Sequence, residues 1–379
     1  MPEDLTTQGR PAGPAPAPPL VHAPATLSAP RHPWRRAVIL ALLVLVVGAA
    51  LGAAGFAAEQ RAFVWKPSVS ETSGGGWLVT GSAGLRPDVP VIADGRLVWG
   101  QGPYTCVLDL DDGDTHVVGA APRGTSIWPP AADGRYVAWI EMPGDDAQGG
   151  PTQLWIYDAD RGRRHSFTVT PGAATTAVDG DLVAWFDGGQ TPRVVALDMG
   201  TQDRSVIAQG EGLDYPVLAG DGLVGWLQPR ADGRAPSVVL YDIDSGEETT
   251  VKLAADGSGL SVGDIQLCGR ILLWTLQGAT TTSIVVHDVH SGTSSVIASG
   301  AVENPATDGE VIVWVVTDDP SGTPVVRGRT LGDGAGPGAG FEVGRPAEWP
   351  SSLAVGGQWV AWSFDDGSWS YLESVKALP

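Results

Sequence analysis

Apolar and polar residues alternate over short runs along most of the chain, and Gly, Asp or Pro brackets each run, the pattern of β-strands joined by tight turns. One run recurs seven times, as a turn followed by apolar residues ending in Trp. The copies are ADGRLVW (Trp99), ADGRYVAW (Trp139), VDGDLVAW (Trp185), GDGLVGW (Trp226), LCGRILLW (Trp274), TDGEVIVW (Trp314) and VGGQWVAW (Trp362). Successive Trp residues lie 40 to 48 residues apart, the period of a four-stranded propeller blade and not that of the helical repeats.

A second signature follows each of the first five Trp residues: VLDLDDG at Asp109, IYDADRG at Asp158, ALDMGTQ at Asp198, LYDIDSG at Asp242 and VHDVHSG at Asp288. The sixth copy has Arg329 at that place and the seventh Glu373. Each repeat therefore predicts strand A, an Asp-Gly turn, strand B ending at Trp, a variable loop, strand C ending at Asp, a short turn and strand D. The repeated Asp residues are expected to accept hydrogen bonds from turn N–H groups. One blade leaves its faces uncovered, so the expected fold is an all-β, seven-bladed β-propeller, with six blades as the alternative. The seventh copy ends after three strands, and WLVTG at 77–81 is free to supply its fourth.

Strand parity puts the A–B and C–D turns on one face of the ring and the B–C and D–A connections on the other. The long, varied loops, such as EMPGDDAQGGPTQ and QPRADGRAPS, fall on the second face, where binding residues usually sit. The D–A connections repeat a motif: Asp88-Val89-Pro90, Asp214-Tyr215-Pro216, Glu303-Asn304-Pro305 and Glu348-Trp349-Pro350, with Trp128-Pro129 a partial copy. Asp88, Asp214, Glu303 and Glu348 with Trp128, Tyr215 and Trp349 are thus the candidate ligand-binding residues, a set suited to a cationic group or a sugar face. The competing reading is that the Pro starts strand A and the aromatic packs between blades. The seven strand-B Trp residues are expected to be core.

Residues 37–58, AVILALLVLVVGAALGAAGFAA, carry no charge and no Pro, enough for a helix that crosses a bilayer. Arg31, Arg35 and Arg36 crowd its amino side, which predicts a cytoplasmic amino terminus and an extracytoplasmic remainder. A cleaved signal peptide is the alternative. Residues 1–36, with 9 Pro, read as a disordered cytoplasmic tail, 59–88 as linker and ring-closing strand, and 89–379 as the propeller.

Composition sharpens this picture in three ways. The formal charge of −20 repels phosphate backbones and argues against nucleic acid as a partner. Twenty Arg against three Lys suggest a GC-rich, bacterial genome. Cys106 and Cys268 are too few for a disulfide framework or a zinc site, and the sequence leaves open whether they are bridged.

The D-G-x-Φ-x-W and Φ-x-D-Φ-x-x-G pattern resembles the TolB-type, WD40-like propeller repeats of bacterial envelope proteins, over residues 89 to 379. This chain has Trp where Phe is usual in those repeats. The resemblance implies a binding role in the envelope, and the activity of propeller-bearing peptidases is not carried over.

Other motifs offer little chemistry. Gly259-Leu260-Ser261-Val262-Gly263 matches G-x-S-x-G, but a nucleophile elbow needs a strand before it and a helix after. His287 and His290 form H-x-x-H without a helix to align them, and DLDDGD and DIDSGE lack the ligand spacing of a calcium loop. No metal or cofactor is expected. The sequence thus predicts a single-pass, membrane-anchored, non-enzymatic module that binds an envelope protein or glycan. The alternative is a propeller-type polysaccharide lyase or glycoside hydrolase.

Overall fold

The computed structural model describes residues 66–379 apart from 74, 82–86, 88, 123, 145–150, 230–233, 318–321, 333–336, 366–369 and 377–379. Residues 1–36 and the apolar stretch 37–58 lie outside the described residues. Among those described, no helix is long and apolar enough to cross a membrane.

The strands form seven antiparallel sheets. Blade 1 sets the plan, with strands A to D at Val91–Ala93, Arg96–Gln101, Tyr104–Asp109 and Thr115–Ala120. Blades 2 to 6 occupy residues 125–168, 174–209, 214–252, 261–300 and 302–344, and blade 7 begins at 352. Each strand A packs against the strand A of the next blade, and that of blade 7 returns to blade 1, which closes the ring.

Seven apolar clusters hold it together, one for each interface between neighbouring blades. The repeated Trp explains this regularity. Because side chains alternate across a sheet, a Trp at the same strand-B position always turns the same way, here toward the preceding blade. Trp139 lies with Val98 and Val107 of blade 1, Trp185 with Ile140 and Ile156 of blade 2, and Trp99 with Ala361 and Leu372 of blade 7. All seven Trp residues are buried. Four of their indole N–H groups find varied acceptors, Gln101 for Trp99, Glu141 for Trp139, the Leu253 carbonyl for Trp274 and Glu373 for Trp362, whereas those of Trp185 and Trp226 are buried without one.

Both chain ends build blade 7. Strands Ser352–Gly356, Trp359–Asp365 and Ser370–Lys376 are followed in the sheet by Trp77–Thr80, which pairs with Tyr371 to Ser374. A fifth strand, Ser68–Glu71, which the repeat pattern does not predict, pairs outside it. The Trp77 indole donates to the Leu110 carbonyl of blade 1 (2.9 Å), and a Cβ at Gly113, where φ is +79°, would overlap the Trp77 ring.

The turns follow their sequences. Asp94-Gly95 and Asp221-Gly222 both have positive φ at the two turn positions, as a type I′ hairpin requires. At the C–D turns the side chains of Asp109, Asp158, Asp198, Asp242 and Asp288 accept backbone N–H groups two or three residues on. That bonding lowers the Asp242 carboxyl below its usual range, with the Ser245 N–H the main cause. Asp158 is held down to about 2, chiefly by the Arg135 guanidinium that grips both its oxygens.

Candidate functional site

The loop face is shaped by an irregularity repeated at the start of strand A. In blades 3 to 6 the pairing of strands A and B slips between Ala174 and Thr176, Asp214 and Val217, Gly263 and Gln266, and Glu303 and Ala306. Thr175, Asp264 and Asn304 sit in these bulges at φ of +43°, +47° and +50°, a region Asn and Asp tolerate better than most residues. In blade 4 the bulge holds Tyr215 and Pro216, joined by a cis peptide bond.

The bulges put polar groups between blades. The Thr175 hydroxyl accepts the Val217 N–H (3.2 Å), the Gln266 amide donates to the Pro305 carbonyl (2.8 Å), and the Asn304 amide donates to the Pro350 carbonyl (2.7 Å). On this face blades 3 and 4, 5 and 6, and 6 and 7 are therefore joined by hydrogen bonds at the starts of their inner strands.

Two aromatic stations rise from this rim. In the first, Tyr215 is 50% exposed, with its ring centroid 6.3 Å from Trp128 at 59° and 6.1 Å from Phe186 at 72°. Trp128 is fixed from behind, since its indole N–H points at the Met142 sulfur (3.0 Å) and its ring packs on the cores at the 2–3 and 3–4 interfaces. Asp214 is half-buried and accepts the backbone N–H of Tyr215 through Oδ1 (2.9 Å).

The second station joins blades 6 and 7. The indole of half-buried Trp349 donates to Glu303 Oε2 (2.9 Å), and the ring rests against the core of that interface. Glu303 and Glu348 are exposed. By ring order the first station lies on blades 2 to 4 and the second on blades 6 and 7. Asp88 lies outside the described residues. The sequence pointed to Trp128, Tyr215, Asp214, Glu303, Glu348 and Trp349 but not to Phe186, which follows a strand-B Trp and looks like ordinary core, nor to Met142.

The remaining motifs separate. Ser261 opens strand A of blade 5, and another strand follows, not a helix. His287 is buried in strand C beside the Ser294 hydroxyl, and burial lowers its pKa. His290 instead pairs with Asp221 of blade 4 (2.9 Å) on the turn face. Cys106 and Cys268 are both free; burial pushes both thiols up, that of Cys268 to about 12. Among the described residues no group of three or more His, Cys, Asp or Glu is placed to hold a metal ion. A depression of about 680 Å³ lies on the same face beside Pro103, Tyr104, Pro122 and Ile127.

No family description matches the chain, and no curated protein sequence does either. Solved structures do. An oligogalacturonate lyase in complex with manganese is 14% identical, with a TM-score of 0.54, over 83% of this chain and 96% of that one. The fold is a seven-bladed β-propeller. A chain of the mitotic checkpoint complex matches this propeller at 11% identity and a TM-score of 0.51, over 83% and 95%. TolB from Acinetobacter baumannii matches at 13% identity and a TM-score of 0.43, over 65% of the propeller-bearing chain and 61% of TolB. The propeller protein thus spans about three-fifths of the TolB chain, and what it shares with the lyase and the checkpoint chain is the fold.

Proposed function

We propose that this protein is a membrane-anchored, extracytoplasmic and non-enzymatic propeller that binds an envelope protein or glycan through its loop face. One observation carries the reading: a half-exposed aromatic ring, Tyr215, stands at the channel mouth on a support of Trp128 and Phe186. An exposed aromatic is costly to hydration and gains its area back on contact with a ligand, and a fixed ring loses little entropy when it binds. Each nearby carboxylate is held by a single hydrogen bond, Asp214 from a backbone N–H and Glu303 from an indole, which fixes its orientation for recognition. The apolar stretch 37–58 and the arginines before it support the anchor and its direction.

The test is photo-crosslinking in native membranes with a photoreactive residue at 189, near the station on the same face, in wild type and Tyr215→Ala. One specific partner captured by wild type and lost in a folded Tyr215→Ala protein is expected. Unchanged capture by the variant would make the aromatic structural. Turnover of a polysaccharide by the purified protein would install the lyase or hydrolase reading instead. Release of the protein from membranes by alkaline carbonate would remove the anchor.

A further inference from the structure

The two stations share a construction that neither sequence motif nor fold requires. Each ties a carboxylate to an aromatic residue through one hydrogen bond: Asp214 Oδ1 accepts the Tyr215 backbone N–H (2.9 Å), and Glu303 Oε2 accepts the Trp349 indole N–H at the ring edge (2.9 Å). Among the described residues no other hydrogen bond reaches either carboxylate. Each station therefore holds a carboxylate with one oxygen bonded and the other without a hydrogen bond, in the residue before Tyr215 and at the edge of the Trp349 ring. Glu303 is exposed and Trp349 and Asp214 are half-buried, so the groups are reachable from solvent yet supported by the core.

The surroundings choose among ligands. The residues that follow 36 carry 41 acids and 19 bases, and the described D–A connections and strand-A starts hold Glu211, Asp214, Asp256, Glu303 and Glu348; Lys252 pairs with Asp256 (3.1 Å) and Arg345 with Glu342 (2.9 Å), and Arg234 is exposed on a B–C loop of the same face. A neutral sugar gains from the rings but leaves the free carboxylate oxygens in search of donors. An anion is repelled. A guanidinium or ammonium satisfies both parts, lying over the ring while donating to the carboxylate, and the field of the propeller draws it in.

Resting on the loop-face reading above, we infer that the Asp214–Tyr215 and Glu303–Trp349 stations bind Arg or Lys side chains of a basic segment of a partner protein. Two stations on one face of the ring offer such a segment two points of attachment, so that each adds to the residence of the other.

The experiment is calorimetric titration of the full chain in detergent with an octapeptide of alternating Arg and Gly, the same peptide with citrulline for Arg, and chitohexaose. The Arg peptide is expected to bind at least tenfold more tightly than its citrulline twin. Tyr215→Ala should weaken it about fivefold to tenfold and Tyr215→Phe hardly at all, since the ring face is what acts. Glu303→Gln, which is exposed and keeps its size, should weaken it by a similar factor. The paired change Asp111→Asn and Asp244→Asn, which removes exposed charge from the turn face, should leave affinity within twofold. Equal binding of the citrulline peptide, or equal loss from the turn-face variant, overturns the proposal. Tyr215-dependent binding of chitohexaose alone overturns the cationic ligand while sparing the loop-face reading. Binding of none of the three probes overturns the inference, and if the crosslinking above also finds no partner, the reading beneath it falls too.

Discussion

The contact between Trp77 and Gly113 is where the two ends of the chain are tied to the first blade, and it makes a quantitative prediction. Truncating a fully buried Trp costs about 3–5 kcal/mol. Trp77 is half-buried, so the lost packing is worth about 2 kcal/mol, and the lost indole bond to Leu110 adds about 1 kcal/mol. Trp77→Ala should therefore destabilise by about 3 kcal/mol. Gly113→Ala has two costs, the strain of a side chain at φ +79° and the overlap with the Trp77 ring, together about 2–3 kcal/mol. Only the first cost survives once the ring is gone, so the double variant should be about 1–2 kcal/mol more stable than the two losses added. Urea unfolding of the full chain followed by circular dichroism measures all four corners of the cycle. Additive losses would mean that Trp77 does not lie on Gly113, and that strand D of blade 7 is held in some other way.

Three further outcomes follow from buried and strained groups. Glu141 is buried between the Trp139 and Trp155 indoles, and desolvation raises its pKa above that of the unfolded chain; stability should therefore decline as pH rises from about 4 through the raised value. Glu141→Gln should melt higher than wild type at pH 7 and equal to it below pH 4, as scanning fluorimetry would show. Asp158, held near 2 by Arg135, contributes stability above pH 4 that is lost as pH falls through that value. Asp158→Asn should cost about 2 kcal/mol at pH 7, since Arg135 stays partly hydrated, and should flatten the melting curve between pH 4 and 2. Asn304→Ala loses the bond to Pro350 and strains φ +50°, about 2 kcal/mol in urea unfolding, whereas Asn304→Gly keeps the backbone relaxed and should lose about half that.

Blade number and strand order were legible because one side-chain position, the strand-B Trp, serves every interface alike and recurs at the blade period. Loop parity was legible too, since antiparallel order fixes the side on which each connection emerges. The strand Ser68–Glu71 was not, because SVSE has one apolar residue and no repeat partner. The bulges at Thr175, Asp264 and Asn304 were hidden for another reason: a left-handed residue leaves no periodic mark when its side chain differs in each blade. The meeting of Trp128 with Tyr215 depends on the curvature of the ring, which brings blades 2 and 4 together over blade 3. Sequence spacing carries no trace of that curvature, and Phe186 could be added only once it was known.

The join in blade 7 also sets the order of events at birth. Trp77 emerges from the ribosome 297 residues before Ser374, the residue its backbone will meet, and at ordinary rates of synthesis that delay is tens of seconds. Through that time both edges of the hairpin 68–80 are unpaired and its apolar face has nothing to cover it, a form prone to pair with a second nascent copy. Blades 1 to 6 can assemble one upon another as they appear, but the ring stays an open arc until the last residues arrive. A chain truncated by even one strand at its carboxyl end should thus be recognised by proteases as unfinished, however complete its other blades.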